Sequence, residues 1–372
     1  MAFIGDFDKV LELFKYIYDH NRGLYEFILK RGVDLLKVKS YDDFRKIKIL
    51  KKSELSLLHN QNPPFGGLIQ VKPLKLYQSP GPINNVKLED YHHYRFYKAL
   101  KMCGFNSDDL VVNSFGYTIT PAGEMFDEGC RYLNIPVFPL GPVTSEKSAE
   151  IVDTFSATGF IGTKTFLMKT LEHCKKGSLK KAYLIAEKMT EDDRRFFKDR
   201  YGIDAYQGYG TAEVGLIATE GIGFNFMQID KEKIFIEHLD PNTEESTPLF
   251  DYGEAVVTFL DYRLPFIRLA TGDLVAYEGE HLKGVFGRTD SSVKVKGVFI
   301  HYWEFESFCN EIGIKGELLV EHSLKNDIIN LRVSGVTPDL KEKFKKRFGL
   351  NINEIFEGNV ESNKIIDGRK WR

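Results

Sequence analysis

The chain has 372 residues, which at roughly 150 residues per domain suggests about two domains. Lys plus Arg number 51 and Asp plus Glu 53, a net charge of −2 that gives no electrostatic reason to expect nucleic acid or an anionic membrane as a partner. Hydrophobic residues at 42% and charged residues at 28% exclude a disordered or fibrous chain, and no apolar run approaches the ~20 residues of a membrane-spanning helix.

The N-terminal segment predicts a helical lead-in over about residues 1–60. Its first amphipathic helix is expected from Val10 to Leu29, because apolar residues recur there at helical spacing. No basic stretch followed by an apolar one precedes it, so we expect no secretory signal and a cytoplasmic protein. Prolines and glycines between Asn62 and Gly67 indicate a loop.

The middle of the chain alternates short apolar runs with helical stretches. This alternation predicts an α/β fold with a largely parallel sheet, flanked by helices. Thr190 and Asp193 fit a capping box at a helix start, and Gly202 fits the end of that helix. The expected buried strands are 110–115, 135–140, 160–162 and 182–186, and the expected helices include 90–102 and 145–155.

The remainder predicts antiparallel strands and a second, smaller domain. Segments 253–273 and 282–300 are rich in β-branched and aromatic residues with turns between them. Residues 290–372 are expected to form a small α+β domain after a large N-terminal domain over 1–289. Helices are expected at 302–312 and 338–348, with strands at 317–321 and 328–333.

Several familiar kinds of site are excluded. The four cysteines contain no C-x-x-C pair, so a zinc ribbon or thioredoxin motif is ruled out and reduced, mostly buried thiols are expected. There is no G-x-x-x-x-G-K-[ST], no H-E-x-x-H and no G-x-S-x-G. His92 and His93 are adjacent, which on a helix points them about 100° apart, so a shared metal is not expected.

Four short segments in fixed order carry chemical information, although each alone is a weak signal. They are Ala186-Glu-Lys188, Gln207-Gly-Tyr-Gly-Thr-Ala-Glu213, Arg268-Leu-Ala-Thr-Gly-Asp273 and Gly287-Arg-Thr-Asp290. Thr211 offers a hydroxyl to a phosphate oxygen and Glu213 a hard oxygen ligand suited to Mg²⁺. Asp273 could accept hydrogen bonds from two ribose hydroxyls, and Arg288 could donate to the sugar or the phosphate.

Together these motifs resemble those of the adenylate-forming superfamily, most closely its phenylacetate–CoA ligase branch. The resemblance extends over nearly the whole chain, from about Asp34 to the C-terminus. It implies a two-step activity: a carboxylate attacks the α-phosphorus of Mg·ATP to give an acyl-adenylate and pyrophosphate, and a thiol, usually coenzyme A, then displaces AMP. The small C-terminal domain is expected to rotate between the steps.

The resemblance also implies a role for individual residues. Ala186, Glu187, Gly208, Tyr209, Gly210, Thr211, Asp273 and Arg288 would form the nucleotide site, with Tyr209 stacked on adenine and Gly208 and Gly210 allowing close backbone approach. Glu213 would hold Mg²⁺, Asp290 would be the hinge, and Phe115 and Tyr117 would line the acyl pocket. Lys294 and Gly297 fit a coenzyme A channel, and Lys364 is the expected catalytic cation, with Lys370 a weaker match.

One segment departs from the family pattern. The family carries a phosphate loop of the form S-S-G-T-T-G-K, whereas this chain has Gln78-Ser-Pro-Gly-Pro-Ile-Asn84 at the matching place. Ser79 and Gly81 remain, but the paired threonines and the lysine are gone, and Pro80 and Pro82 remove two N–H donors. Such a loop acts through backbone N–H groups and a cation.

The sequence therefore leaves two functions open. One is a ligase that adenylates an aromatic or otherwise apolar carboxylic acid and transfers it to coenzyme A. The other is a non-catalytic protein that binds AMP, an adenylate or an aryl acid, with ATP use impaired by the altered loop. The acceptor could also be an amine or a carrier-protein thiol, and a homodimer is left open.

Overall fold

The computed structural model describes residues 3–69, 71–89, 93–241, 243–250, 253–289, 293–296, 298–300, 302–323, 326–337, 339–361 and 363–369. The chain divides into two compact units, residues 1–285 and 286–372. Asp290, the expected hinge, lies outside the described residues, as do Gly297 and Lys370. Among the described residues, no helix combines the length and apolar character needed to cross a lipid bilayer.

The first unit contains nine α-helices within its described residues. They are α1 (Phe7–His20), α2 (Arg22–Lys30), α3 (Tyr41–Phe44), α4 (Lys52–Gln61), α5 (Phe96–Met102), α6 (Ala122–Tyr132), α7 (Ser145–Phe155), α8 (Lys164–His173) and α9 (Glu191–Tyr201). A short 3₁₀ helix covers Leu35–Lys37. The capping box at Thr190 and the left-handed Gly202 that ends α9 are confirmed.

The strands of the first unit, with β14 running across its boundary, form a small hairpin and one large sheet. They are β1 (Phe3–Ile4), β2 (Lys75–Ser79), β3 (Ile83–Lys87), β4 (Val111–Asn113), β5 (Val137–Pro139), β6 (Gly159–Gly162), β7 (Lys181–Leu184), β8 (Asp204–Thr211), β9 (Gly215–Gly221), β10 (Phe224–Ile229), β11 (Ile234–Leu239), β12 (Gly253–Phe259), β13 (Phe266–Glu278) and β14 (His281–Arg288).

Twelve of these strands join in the order β1-β11-β12-β13-β14-β10-β9-β8-β7-β6-β4-β5. From β5 to β8 neighbouring strands are parallel, as the apolar runs predict, whereas the pairs β8–β9, β9–β10 and β10–β14 are antiparallel. The predicted strands in this half are present, and β4, β5 and β7 are shorter than expected, whereas β6 is one residue longer. The α/β class is confirmed.

Helices cover both faces of the parallel half because successive strand residues point to opposite sides. Val111, Ile161 and Tyr183 pack with residues of α5 and α6. Val112, Phe160 and Leu184 are each one position along the chain from those residues. They pack with residues of α7, α8 and α9. A helix–sheet–helix arrangement results, and it leaves the carboxyl ends of the parallel strands at one edge.

The N-terminal lead-in is helical, but the single helix expected from Val10 to Leu29 is wrong. The chain breaks at Asn21, which ends α1 and caps α2 by accepting from the Leu24 N–H through its side chain at 3.1 Å. The Asn21 amide also donates to the Leu68 carbonyl at 3.0 Å, which stabilises this corner from outside the helices. Both helices still bury their apolar faces against the antiparallel half of the sheet.

The second unit is a small α+β domain. Its elements are β15 (Val293–Val295), β16 (Val298–Ile300), α10 (Tyr302–Glu311), β17 (Gly316–Ser323), β18 (Asn326–Val333), α11 (Leu340–Phe348), β19 (Glu354–Glu357) and β20 (Lys364–Asp367). β15 and β16 form a hairpin, and the other strands form a sheet in the order β19-β18-β17-β20. Phe305, Phe308 and Phe344 contribute to a core of its own.

A buried ion pair attaches the lead-in to the large sheet. Arg268 on β13 donates to both carboxylate oxygens of Glu237 on β11 at 2.8 and 3.0 Å, and it also donates to the carbonyls of Arg45 and Ile47. Next to it, the Leu50 N–H donates to the Arg268 carbonyl at 2.9 Å and the Ala270 N–H donates to the Leu50 carbonyl at 3.0 Å. These bonds fix the segment that leads directly into α4.

We predict that Arg268→Met lowers the free energy of unfolding by about 3–5 kcal/mol, because it leaves the Glu237 carboxylate buried without its cation. Urea denaturation measures the change. The control Arg195→Met removes an exposed pair with Asp192 and should shift stability by less than about 1 kcal/mol. Equal effects of the two substitutions would contradict the anchoring role of Arg268.

Candidate nucleotide site

The predicted motif residues gather where the parallel strands end. Tyr117 follows β4, Ala186 and Glu187 follow β7, and Tyr209 and Thr211 lie at the end of β8. Adjacent strands are about 4.8 Å apart, so the ends of β4, β6, β7 and β8 span about 14 Å. Ligands of open α/β sheets bind at this edge.

The segment Thr211-Ala-Glu213 lies in a tight hairpin turn between β8 and β9, in which Thr211 pairs with Gly215. Gly215 has a positive φ of 71°, and a Cβ atom there would lie 2.6 Å from the Tyr94 carbonyl oxygen. Arg95 supports the turn from behind, since its guanidinium donates to the Val214 and Leu216 carbonyls at 2.8 and 2.5 Å. The turn therefore holds Glu213 in a fixed place.

Glu213 is buried and its charge is compensated by a residue that the sequence analysis did not single out. Lys52, in the first turn of α4, has its Nζ 3.4 Å from Glu213 Oε2. Burial raises the pKa of Glu213, but Lys52, Thr211 and the local backbone together outweigh it and bring this pKa below its usual value. The carboxylate is thus held in its charged form.

Two oxygens in this turn are buried beside each other. They are Thr211 Oγ1, whose hydroxyl interacts with the Glu213 carboxylate, and Glu213 Oε2, which also forms the ion pair with Lys52. Mg²⁺ is commonly held by one or two carboxylates together with substrate phosphates. One hydroxyl beside one carboxylate is therefore a donor set that fits a magnesium-bound phosphate group.

His59, on the same helix as Lys52, lies near the turn. Its Nδ1 accepts a hydrogen bond from the Asn84 N–H at 3.1 Å, and its Nε2 is buried without a partner among the described side chains. Burial lowers the pKa of His59, and the nearby charge of Glu213 raises it to a smaller extent. His59 thus contacts β3 through Asn84 and lies close to Glu213, so β3, α4 and the Glu213 turn form one cluster.

Tyr209 and Asp273 form a second part of the site. The Tyr209 hydroxyl donates to Asp273 Oδ2 at 2.8 Å, and the Asp273 N–H donates to Thr271 Oγ1 at 3.1 Å. Both residues are buried, and the Tyr209 ring packs in the main hydrophobic core. The Tyr209 ring was predicted to stack on adenine and the Asp273 carboxylate to bind ribose. The two residues are thus linked by a direct hydrogen bond.

Three predicted residues have structural partners of their own. Gly208 is required by the Tyr183 side chain, because a Cβ atom at 208 would lie 1.8 Å from Tyr183 Oη. At Gly210 a Cβ atom would lie 2.5 Å from the Gly215 carbonyl oxygen. The Glu187 carboxylate accepts from the Thr165 N–H at 2.8 Å, within the first turn of α8.

The aromatic residues expected to line the acyl pocket lie after β4. Phe115 stacks on Phe126, with ring centroids 5.3 Å apart. The Tyr117 hydroxyl accepts from the Asn113 side-chain amide at 2.8 Å. Because the Gln78 N–H donates to the Ile119 carbonyl at 2.8 Å, this aromatic segment is also attached to the β2–β3 hairpin.

The altered phosphate loop is a closed β-hairpin. Ser79 pairs with Ile83, which leaves Pro80, Gly81 and Pro82 as the turn. Ser79 Oγ accepts from the Asn85 side-chain amide at 3.0 Å, so it is already engaged. A Cβ atom on Gly81 would meet nothing within 4 Å, so this side of the turn is open.

The remaining predicted residues belong to the second unit. Arg288 ends β14, and Lys294 lies on β15. Lys364 is exposed at the start of β20, where it lies opposite Glu317 in the register of the parallel strand pair β17–β20. Their roles toward a ligand stay predictions.

We predict that Gly208→Ala destabilises the protein by about 1–3 kcal/mol, because the added methyl group overlaps the buried Tyr183 side chain. Gly116→Ala is the control, since a Cβ atom there finds only ordinary contacts with Pro142 at 3.7 and 3.8 Å. Thermal or urea denaturation of both variants measures the difference. A Gly208→Ala protein as stable as the control would contradict this packing requirement.

No protein-family profile matches the chain. Similarity to individual proteins is nevertheless found. The phenylacetate–coenzyme A ligase of Aromatoleum evansii is 25% identical over 318 residues, covering 78% of this chain and 71% of that protein. The phenylacetate–coenzyme A ligase of Escherichia coli strain K12 is 26% identical over 246 residues, which are 60% of this chain and 55% of that protein.

Among solved structures, a 2-hydroxyisobutyryl-CoA ligase in complex with 2-HIB-AMP and CoA has a TM-score of 0.82. The alignment covers 98% of this chain and 89% of that one at 18% sequence identity, a likeness that shows a shared fold. The similarities of sequence and fold therefore both support the resemblance of the chain to the adenylate-forming superfamily and to its phenylacetate–CoA ligase-like branch.

Proposed function

We propose that the protein is an AMP-forming acid–thiol ligase, which activates a carboxylic acid with Mg·ATP and transfers the acyl group to coenzyme A. The observation that carries this proposal is the cluster of Thr211, Glu213 and Lys52 beside the bonded pair Tyr209–Asp273. A hydroxyl, a charged carboxylate and a cation are what a magnesium-bound phosphate needs, and a fixed carboxylate suits a ribose. The similarity to phenylacetate–coenzyme A ligases supports the same activity.

In the first step an oxygen of the acid's carboxylate bonds to the α-phosphorus of ATP, and the bond from that phosphorus to the bridging oxygen breaks. Negative charge grows on the phosphoryl oxygens and on the departing pyrophosphate. Thr211 would donate its hydroxyl to the α-phosphate, and Glu213 would hold the Mg²⁺ that neutralises this charge. Asp273, held by the Tyr209 hydroxyl, would fix the ribose and thereby the direction of attack.

In the second step the sulfur of coenzyme A bonds to the acyl carbon, the bond to the AMP oxygen breaks, and the thiol proton leaves to solvent. We assign Lys364 to the adenylation step as a further cation, and Lys294 and Gly297 to the coenzyme A path. Phe115 and Tyr117, with the stacked Phe126, favour an aromatic or otherwise apolar acid, since they supply flat apolar surface.

A second candidate is favoured by the closed β2–β3 hairpin. With prolines at both sides of Gly81, its turn has lost two of the N–H donors that hold outer phosphates. A protein with this hairpin could bind AMP, an adenylate or an aryl acid without making an adenylate. The two candidates differ in one measurable product, pyrophosphate.

We predict acid-dependent release of pyrophosphate from Mg·ATP by the wild-type protein over a panel of aromatic and apolar acids. Glu213→Gln should reduce this release by on the order of 100-fold or more, because a neutral amide is a poor Mg²⁺ ligand and leaves Lys52 unpaired. The control is Glu191→Gln, which changes an exposed carboxylate on α9 and should retain the wild-type rate.

Full pyrophosphate release by Glu213→Gln would contradict the assignment of Glu213. Binding of AMP by the wild-type protein with no pyrophosphate release for any acid would instead favour the second candidate.

A further inference from the structure

The β2–β3 hairpin offers few groups to a triphosphate. Its turn retains one N–H, that of Gly81, because Pro80 and Pro82 have none. The side chains beside the turn bond to each other: the Gln78 amide donates to Asn84 Oδ1 at 3.0 Å, and Ser79 Oγ accepts from Asn85. Outer phosphates, if the protein binds them, need donors from another element.

Helix α4 packs directly against this hairpin. Ser56 Oγ donates to the Pro82 carbonyl at 3.2 Å, and His59 Nδ1 accepts from the Asn84 N–H at 3.1 Å. Lys52, Ser56 and His59 are spaced by four and three residues, so they share one face of the helix. That face joins the hairpin to the Glu213 turn.

The first residue of α4 brings a cation to the Glu213 turn, on the helix face that also contacts the hairpin. The Lys52 side chain is 22% exposed, whereas its partner Glu213 is 2% exposed. Lys52 is therefore the member of the pair that solvent reaches. Its flexible four-carbon stem allows the ammonium to move between the carboxylate and a bound phosphate.

His59 adds an N–H donor from within the protein. It is 1% exposed, and because Nδ1 accepts from the Asn84 N–H, the neutral ring carries its proton on Nε2. This Nε2 is buried without a hydrogen-bond partner among the described residues. Unpartnered buried donors are uncommon in native proteins, and one beside an expected phosphate site points to a ligand.

We infer that α4 replaces the missing phosphate-loop groups, with Lys52 as the cation and His59 as the N–H donor for the β- and γ-phosphates of ATP. The inference rests on the proposed function, since it requires that the site beside Glu213 holds an adenine nucleotide. The inference adds to the proposed function that α4, and not the loop, provides affinity for the outer phosphates.

The test is equilibrium binding of ATP and of AMP to the full chain by calorimetry, each with Mg²⁺. The wild-type protein should bind ATP more tightly than AMP. Lys52→Met should weaken ATP binding by about 10- to 100-fold more than it weakens AMP binding, because losing the cation beside Glu213 affects both nucleotides and losing the outer-phosphate contact affects ATP alone. Lys52→Arg keeps the charge and should stay within about tenfold of wild type for ATP.

The neighbouring lysine is the matched control. Lys51 forms a surface pair with Glu244 at 3.1 Å and is 57% exposed, so Lys51→Met should leave both affinities unchanged. At His59, Asn can keep the acceptor for the Asn84 N–H while removing the Nε2 donor, and Gln can keep a donor near the Nε2 position. His59→Asn should therefore lose ATP affinity and His59→Gln should retain more of it.

The outcomes separate this inference from the proposed function. A wild-type ratio of ATP to AMP affinity in both Lys52→Met and His59→Asn would overturn the role of α4 while leaving the ligase proposal intact. Equal wild-type affinity for ATP and AMP would also overturn it, since no outer-phosphate contact would then exist. Failure of the wild-type protein to bind either nucleotide would overturn both. Measurable AMP binding by the variants shows that they are folded.

Discussion

The candidate site depends on the buried charge of Glu213. A carboxylate with 2% of its side chain exposed is stable in the charged form only if a cation and polar groups compensate for lost hydration. Lys52 provides that cation from a segment 161 positions earlier in the chain, so the position of α4 is as important to the site as the motif itself. Arg268 secures this position, because it binds Glu237 and the carbonyls of Arg45 and Ile47 just before α4 begins.

Under the proposed function, the positive charge that a phosphate loop would supply comes from a helix instead. A phosphate loop uses backbone N–H groups that become ordered around its ligand. Here the corresponding segment is a proline-bounded hairpin, whose ends are already paired as β2 and β3. A helix side chain such as Lys52 starts from a fixed Cα position and so needs less backbone ordering on binding. The ligand groups then come from α4 and the Glu213 turn together.

Much of the fold followed from local patterns. The parallel strands were predictable because both of their faces are buried, and α9 because Thr190, Asp193 and Gly202 mark its ends. The motif residues Tyr209, Thr211 and Glu213 lie close together because they share one short segment. The break at Asn21 was missed because the apolar spacing continues across it, and only the bond to Leu68 identifies the corner.

Contacts between distant segments could not be predicted from the sequence. Lys52 and His59 lie on a helix that carries no motif, and their relation to Glu213 exists only after α4 packs on the hairpin. The missing loop lysine left open whether the protein uses ATP, and it gave no indication of α4. Gly208 was expected to make room for a ligand, whereas its closest neighbour is the protein's own Tyr183.

The most direct test of this account is detection of the acyl-adenylate itself. The protein would be incubated with Mg·ATP and each acid of an aromatic and apolar panel without coenzyme A, and the quenched mixture analysed by mass spectrometry. The account predicts an acyl-AMP for at least one acid and its conversion to acyl-CoA and AMP when coenzyme A is added. ATP that remains intact with every acid, while the protein demonstrably binds it, would contradict the account.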